Sequence, residues 1–131
     1  MGDRKNISSG APWESLVAYS RAVRIGSKIV VSGTAPVDDN GEVFGVGDPY
    51  QQARRCIEII ASALEQAGAG LEHVVRTRMF VTDIEHWQEF AKAHREAFEG
   101  IEPATTMVEV SRLIDPRMLI EIEAEAIVGD Q

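Results

Sequence analysis

The chain has 131 residues, 44% of them hydrophobic, and its 13 Lys and Arg against 21 Asp and Glu give a formal charge of −8. This length suits one compact domain, and the negative charge argues against nucleic acid and anionic membranes as partners. The one cysteine, Cys56, cannot form an internal disulfide, and no apolar run is long enough to span a membrane. We therefore expect a cytoplasmic protein.

The N-terminal part of the chain predicts a tail followed by a β-hairpin. Residues 1–10 are polar without periodicity, so we expect a tail before a single domain over residues 11–131. Strand-like runs within residues 11–36 flank Gly26 and Ser27, which predicts two strands joined by a tight turn. Residues 37–49 are rich in Asp, Asn, Gly and Pro, and we interpret them as a loop.

Two amphipathic helices follow. Apolar residues recur at helical spacing from Tyr50 to Ala67, between a cap at Asp48 and a stop at Gly68, and Cys56 lies on this stripe as a buried, unreactive thiol. The second helix follows a cap at Asp83 and ends near Gly100. Its predicted apolar stripe consists of Ile84, Trp87, Ala91, His94 and Phe98. Core packing is accordingly the expected role of Trp87 and His94.

Three further segments, residues 73–82, 105–110 and 118–128, have the pattern of strands. The first alternates Val75, Thr77, Met79 and Val81 with Val74, Arg76, Arg78 and Phe80. The last places Glu121, Glu123 and Glu125 on one face and Ile120, Ile122, Ala124 and Ala126 on the other. The element order predicts an α+β sheet with both helices on one face and the other face open.

The row of glutamates on the open face requires compensation, because like charges on one strand face repel each other. Arg76 and Arg78 share the parity of this face and can pair with the carboxylates on a neighbouring strand or across a subunit interface. If Thr105 also faces this side, Met107 and Glu109 do so too. A mixed apolar and charged surface of this kind predicts association through the open face.

Other chemistry has little support in the sequence. The three histidines, His73, His86 and His94, have no spacing typical of metal ligands, so neither a metal nor a cofactor is expected. The glycines of residues 44–49, FGVGDP, lack the phosphate-loop pattern and its Lys-Ser/Thr ending.

Three stretches together resemble the Rid family, also called the YjgF-like or reactive intermediate deaminase family: YSRAVRIGSKIVVSGTAP, VVRTRMFVTDI and PATTMVEVSRLIDPRMLIEIEAEAIV. They lie between Ala18 and Val128. The resemblance implies a chorismate-mutase-like single domain, with a six-stranded mixed sheet and two helices packed on one face. It also implies a homotrimer with small-molecule sites in the clefts between subunits, which agrees with the open face.

The resemblance also implies a set of site residues. Deaminating members hydrolyse enamines or imines to a keto acid and ammonia, and Glu121 occupies the position of the glutamate that orients the attacking water. Tyr19 matches the cleft tyrosine, and Ser32 with Gly33 matches the turn beside the ligand. The remaining residues expected to line the cleft are Thr34, Thr106 and Met107, with Trp87 at its edge. For Tyr19, Ser32 and Gly33, an interface or strand-end role is an open alternative.

The chain departs from the family at Thr105, which stands where the family has an arginine that grips the substrate carboxylate. A threonine offers one neutral hydrogen bond in place of a charged bidentate pair, so an altered substrate is expected. Arg78 can either reach the cleft in its place or pair with Glu109 or Glu121.

Two functions remain open from the sequence. The first is a hydrolase of enamine, imine or related small molecules, in which Glu121 orients water while Thr105 and Thr106 select a neutral or differently shaped substrate. The second is a trimer that binds a metabolite without turnover. The endoribonuclease activity ascribed to some family members is disfavoured by the acidic charge and by the absence of a catalytic histidine pair.

Overall fold

A computed structural model describes residues 3–129 of the chain. They form one six-stranded sheet in the order β1-β2-β3-β6-β4-β5. The strands are Arg4–Ile7 (β1), Ala22–Ile25 (β2), Lys28–Thr34 (β3), Val74–Val81 (β4), Ala104–Glu109 (β5) and Ile120–Ile127 (β6), and the α-helices are Pro12–Val17 (α1), Pro49–Gln66 (α2) and Trp87–Phe98 (α3). The sheet is mixed because β4 and β5 are parallel while the other pairs are antiparallel. The predicted α+β class and mixed sheet are confirmed.

Strand β6 occupies the middle of the sheet, where it pairs with β3 on one side and β4 on the other. Four of its apolar residues lie in the core beneath the helices: Ile120, Ile122, Ala124 and Ala126. Since side chains alternate along a strand, its three glutamates lie on the opposite face, which we call the open face. No helix within residues 3–129 is long and apolar enough to cross a membrane.

The predictions for the N-terminal segment are wrong in two places. Residues 4–7, expected within a polar tail, form β1, which pairs with β2 and buries Ile7. Backbone pairing creates this strand, and one buried apolar residue is too little to give a visible alternation. Residues 12–17, expected within a strand-like run, form the short helix α1, which has Pro12 in its first turn. The predicted hairpin at Gly26 and Ser27 is confirmed.

Two local shifts change which side chains are buried. A register shift between Val74 and Arg76 leaves Val74 buried and Val75 exposed, the reverse of the predicted parity. A 3₁₀ turn over Ile84–His86 precedes α3. Because this turn has three residues per turn, the buried face of α3 is rotated relative to the predicted apolar stripe. Trp87 is therefore 51% exposed rather than in the core. The buried residues of α3 are Phe90, Ala93 and Phe98.

Helix α2 begins as predicted, with the Asp48 side chain accepting a hydrogen bond from the backbone N–H of Gln51. One turn later Gln52 is fully buried. Its Nε2 donates to the Arg117 carbonyl at 2.9 Å, and its Oε1 accepts from the Leu119 N–H at 2.7 Å. This side chain therefore fixes the segment that leads into β6.

We expect Gln52→Leu to destabilise the protein by roughly 2–4 kcal/mol, because two buried backbone groups lose their partners at about 1–3 kcal/mol each. Urea unfolding at a fixed protein concentration measures this loss. The matched control is Gln66→Leu at an exposed position of the same helix, which should stay within about 0.5 kcal/mol of the wild type. Equal midpoints for Gln52→Leu and the control would contradict the prediction.

Candidate functional site

Glu121 lies on the open face next to an irregular part of β3. The pairing of β3 with β6 shifts register between Val31 and Thr34, and Gly33 lies within this shift. A Cβ atom on Gly33 would stand only 2.2 Å from Glu121 Oε2. Glycine is therefore the residue that gives the carboxyl group room against the strand.

The Glu121 carboxyl is half-buried and makes no hydrogen bond or ion pair with the residues from 3 to 129 that the structure describes. Burial raises the pKa of Glu121 above its ordinary value; Arg21 opposes this effect and Glu123 adds to it. A carboxyl in this environment keeps its proton to a higher pH than an exposed one does. It is the group in this part of the molecule best suited to general acid–base chemistry.

Arg21 is a further residue of this region and was not predicted. It is only 6% exposed. Its Nη1 donates to the Gly33 carbonyl at 2.7 Å and to Thr34 Oγ1 at 3.2 Å, and its Nη2 donates to the Tyr19 hydroxyl at 3.3 Å. The guanidinium also lies over the Tyr19 ring, 5.5 Å from its centroid. One cation thus connects three of the residues that the family resemblance assigns to the cleft.

Glu14, from helix α1, is the counter-ion of Arg21. Its Oε2 lies 3.8 Å from Arg21 Nε, and its carboxylate accepts hydrogen bonds from the Ser8 hydroxyl and from the N–H and hydroxyl of Ser9. Burial alone would raise the pKa of Glu14, but these hydrogen bonds and the charge of Arg21 outweigh it and hold the pKa below its ordinary value. Glu14 is therefore ionised at neutral pH.

A cleft of about 960 Å³ adjoins these residues. The predicted site residues that line it are Tyr19, Ser32, Gly33, Thr34 and Glu121. The hydroxyl of Ser32 donates to the Ser20 carbonyl and that of Thr34 to the Ser32 carbonyl, at 2.7 and 2.8 Å, so both serve the local backbone. The other wall of the cleft includes residues of α2, among them Arg55.

Thr105 does not lie on the open face, so the condition under which Met107 and Glu109 would share that face is not met. Its Oγ1 lies 2.8 Å from Oγ1 of the buried Thr77 and donates to the Pro103 carbonyl at 3.1 Å. Thr105 is in register with Thr77 on the neighbouring parallel strand, so both point toward the helices. Met107 packs against the core on that same side, and alternation leaves Thr106 on the open face. The wall of the cleft within one chain contains none of Thr105, Thr106, Met107, Arg78 and Trp87.

His94 is a packed histidine, as predicted. Its Nε2 lies 2.8 Å from Thr77 Oγ1 and its ring is 4.6 Å from that of Phe98, centroid to centroid. Burial lowers the pKa of His94, which favours the neutral ring. Within residues 3–129, no group of three or more His, Cys, Asp or Glu side chains is arranged to hold a metal ion.

Arg78 pairs with Glu123 and Glu125 rather than with Glu109 or Glu121. Its Nη1 lies 3.3 Å from Glu123 Oε1 and 3.2 Å from Glu125 Oε2. The register of β4 against β6 explains this choice, since it sets Arg78 opposite Glu123 and Arg76 opposite Glu125. The predicted ion-pair network on the open face is therefore confirmed for these two glutamates.

Known proteins of the same kind match nearly the whole chain. Residues 10–128 match the profile of the family described as Endoribonuclease L-PSP. A RutC family protein of Pyrococcus abyssi is 40% identical over 82% of this chain and 84% of its own length. A Mycobacterium tuberculosis member of the YjgF/YER057c/UK114 family, known from its crystal structure, has 49% identity and a TM-score of 0.88, covering 96% of this chain and 100% of that one.

A more distant neighbour is Escherichia coli TdcF, whose crystal structure contains bound serine. It has 27% identity and a TM-score of 0.78, and the match covers 85% of this chain and 88% of that one. The fold, with its open face and its glycine beside a half-buried glutamate, is consistent with this family match. The chain belongs to the Endoribonuclease L-PSP family, which is the YjgF or Rid family.

The raised pKa of Glu121 predicts a stability change with a defined dependence on pH. A carboxyl whose pKa is higher in the folded than in the unfolded state favours folding fully below its unfolded pKa, and this contribution is lost as the pH rises through the folded pKa. We therefore expect Glu121→Gln to raise the melting temperature at pH 7. The gain over wild type should shrink as the pH falls toward and below pH 4, because Glu121 becomes protonated in both states.

The matched control is Glu125→Gln, on the same strand and the same face. Glu125 is paired with Arg78, Arg76 and Lys28, at 3.2, 3.9 and 3.7 Å, so its neutralisation removes the paired carboxylate of Arg76 and Lys28 and one of the two that pair with Arg78. This variant should lower the melting temperature at pH 7. A Glu121→Gln variant that also melts lower than wild type at pH 7 would contradict the assigned environment of Glu121.

Proposed function

We propose that this protein is a Rid-type hydrolase of small enamines or imines in which Glu121 orients and deprotonates the attacking water. The observation that supports the proposal is the half-buried Glu121 carboxyl, without an ion-pair partner in residues 3–129, beside the space that Gly33 leaves. Water adds to the carbon of the C=N bond while Glu121 takes its proton. The carboxylic acid then returns this proton to the nitrogen, which gives a carbinolamine. Glu121 next carries the proton of the new hydroxyl group to the nitrogen, and the C–N bond breaks to release ammonia as the carbonyl forms.

The substrate that this cleft favours carries no carboxylate next to the reacting carbon. Of the two arginines in its described lining, Arg21 is occupied by Glu14 and Gly33, as given above. Arg55 donates to the Val37 carbonyl at 2.7 Å and pairs with Asp39 at 3.2 Å and Glu58 at 3.3 Å. A neutral imine needs no cation, whereas an anionic one would enter the cleft without a charged partner from this chain.

The proposed functional unit is a homotrimer in which the open faces of three copies meet and each cleft is completed by a neighbouring subunit. The open face carries large exposed apolar side chains, among them Val30, Val108 and Ile127, next to the paired Arg78. Association would remove this mixed surface from water. Thr106 lies on the same face, so its proposed contact with ligand would be made across the subunit boundary. The proposed location of the trimer is the cytoplasm.

Arg78→Glu should weaken trimer assembly at least about tenfold, because it places a third carboxylate beside Glu123 and Glu125 on the surface that associates. Sedimentation or light scattering across a range of concentrations measures the assembly state. The control Arg95→Glu changes an exposed arginine on α3, whose one ion pair within residues 3–129 is with Glu99 at 3.9 Å, and should leave assembly unchanged. A wild-type monomer at micromolar concentration would contradict the trimer.

Hydrolysis is tested with two imines generated in the cuvette by oxidases. One is 2-iminopropionate, made from alanine, and the other is the neutral imine of benzylamine. We expect the wild type to accelerate ammonia release from the neutral imine more than from the carboxylated one. Glu121→Gln should lower this acceleration by about 10²- to 10⁴-fold, the usual contribution of general acid–base catalysis.

The control for the kinetic test is Glu65→Gln, an exposed position of α2 outside the cleft, which should retain the wild-type rate. Equal rates for wild type and Glu121→Gln would contradict the role of Glu121. Faster hydrolysis of 2-iminopropionate than of the neutral imine would contradict the proposed substrate class while leaving the reaction type intact.

A second function is the binding of a metabolite without turnover. It is favoured by the same observation, that both arginines of the described cleft lining are already paired. Escherichia coli TdcF, which was solved with serine bound, supplies a probe for it. If neither imine is hydrolysed, ligand-observed NMR with L-serine and L-serinamide tests binding, and the amide should bind at least as well as the acid. Endoribonuclease activity is the less supported alternative, because the cleft lining contains no histidine among the residues described.

A further inference from the structure

We propose that Arg21 is a positioning residue of the cleft, which fixes the wall beside Glu121 and places a permanent positive charge next to that carboxyl. Arg21 touches neither water nor substrate in this role. It acts through Gly33, Tyr19 and Glu121, and the inference concerns the site of the proposed hydrolase. Its kinetic test therefore rests on that function, whereas its titration test does not.

The geometry of Arg21 leaves little freedom for any other role. Its side chain is 7% exposed, too little to serve as a receptor for a ligand anion. Both terminal nitrogens are engaged with the walls of the cleft, one with the Gly33 carbonyl and Thr34, the other with Tyr19. A planar guanidinium fork held at both ends restricts the positions of the groups that it contacts.

Gly33 links the position of Arg21 to that of Glu121. Arg21 holds the carbonyl of Gly33, and the vacant Cβ side of the same residue is the space that the Glu121 carboxyl occupies. A shift of Gly33 would therefore move the wall against which the carboxyl rests. Displacements of about 1 Å in a site of this kind can cost on the order of 10²-fold in rate.

The anchor of Arg21 lies on a separate element. Helix α1 contributes Glu14, whose carboxylate is held by Ser8 and Ser9, and whose Oε2 faces the Arg21 Nε at 3.8 Å. This separation exceeds hydrogen-bond length, and Arg21 Nε is the one fully buried side-chain nitrogen or oxygen within residues 3–129 that has no hydrogen-bond partner. The contact is thus a charge pair, which holds the guanidinium electrostatically.

The charge of Arg21 matters because few other groups face Glu121. Across β6 its neighbour on β4 is Phe80, and on the β3 side it meets Gly33, neither of which titrates. On its own strand the next charged group is Glu123, which disfavours ionisation of Glu121. From α2 the buried Cys56 thiol approaches, and burial raises its pKa so that it stays neutral. Arg21 is therefore the one group among these that favours the ionised carboxylate.

Carbon-13 NMR titration of the glutamate carboxyls tests the charge directly and needs no substrate. In Arg21→Gln, the Glu121 resonance should titrate at a higher pH than in the wild type, since the favourable charge is gone. Arg24→Gln is the matched control on the same segment, because Arg24 donates to the Gly26 and Ala67 carbonyls instead. Its Glu121 titration should coincide with that of the wild type.

Arg21→Gln leaves Glu14 as an unpaired buried charge and can lose stability for that reason alone. The double variant Glu14→Gln/Arg21→Gln removes both charges and is the folded alternative. It should show the same upward shift of the Glu121 titration. If Glu121 titrates as in the wild type in either variant with the fold intact, the proposal is overturned.

The kinetic test separates charge from geometry through Arg21→Lys, which keeps the charge and loses the fork. Hydrolysis of the neutral imine should keep the wild-type position of its acidic pH limb in this variant, with kcat/KM lowered about 10- to 100-fold. In Arg21→Gln the limb should move to higher pH. A uniform loss of rate with no movement of the limb in Arg21→Gln would overturn the electrostatic part of the proposal, and unchanged rates in Arg21→Lys would overturn the geometric part.

If the wild type hydrolyses no imine, the proposed function fails while the titration still decides the role of Arg21. If it does hydrolyse imines and the titration does not move, Arg21 fails while the function stands.

Discussion

The sheet and its site both depend on the alternation of β6 at the centre of the sheet. Four small or branched apolar residues of this strand enter the core, and each lies next to a glutamate that the same geometry directs to the open face. A slip of one residue would bury three carboxylates and expose the core residues, so burial fixes the register strongly. The positions of Glu121, Glu123 and Glu125 are therefore set by the hydrophobic core rather than by any contact of their own.

The register of β4 then gives the three glutamates different roles. Arg76 stands opposite Glu125 and Arg78 opposite Glu123, but Phe80 stands opposite Glu121. Two carboxylates gain cations from the neighbouring strand, while the third meets a ring that offers no charge and loses water to burial. Because Phe80 rather than an arginine stands opposite Glu121, this glutamate is suited to proton transfer, whereas Glu123 and Glu125 stabilise the sheet through their ion pairs.

The sequence was sufficient where a long period or a strong register determined the outcome, as in α2 and β6. The sequence was not sufficient where a neighbouring strand determines the structure of a segment. Residues 4–7 become a strand only because β2 lies beside them, and Thr105 turns toward the helices because Thr77 on a parallel neighbour is its register partner. Arg21 was accessible in principle, since it follows Tyr19 by two residues and so shares its side in an extended segment. Glu14 was not, because nothing in the six residues of α1 indicates a buried ion pair.

The arginines of the cleft lining and of the open face are paired with carboxylates of the same chain. Arg21 is held by Glu14, Arg55 by Asp39 and Glu58, and Arg78 by Glu123 and Glu125. Freeing any of them for a substrate carboxylate would leave its present partner unpaired, and for the buried Arg21 and Glu14 that loss exceeds what a new exposed pair returns. Turning Arg21 toward a substrate carboxylate would therefore be costly, whereas the pairs of Arg55 and Arg78 are more exposed and individually weaker. The chemistry proposed for this face of the chain is that of a glutamate whose pKa is raised by burial, in a cleft whose arginines are already paired with carboxylates of the same chain.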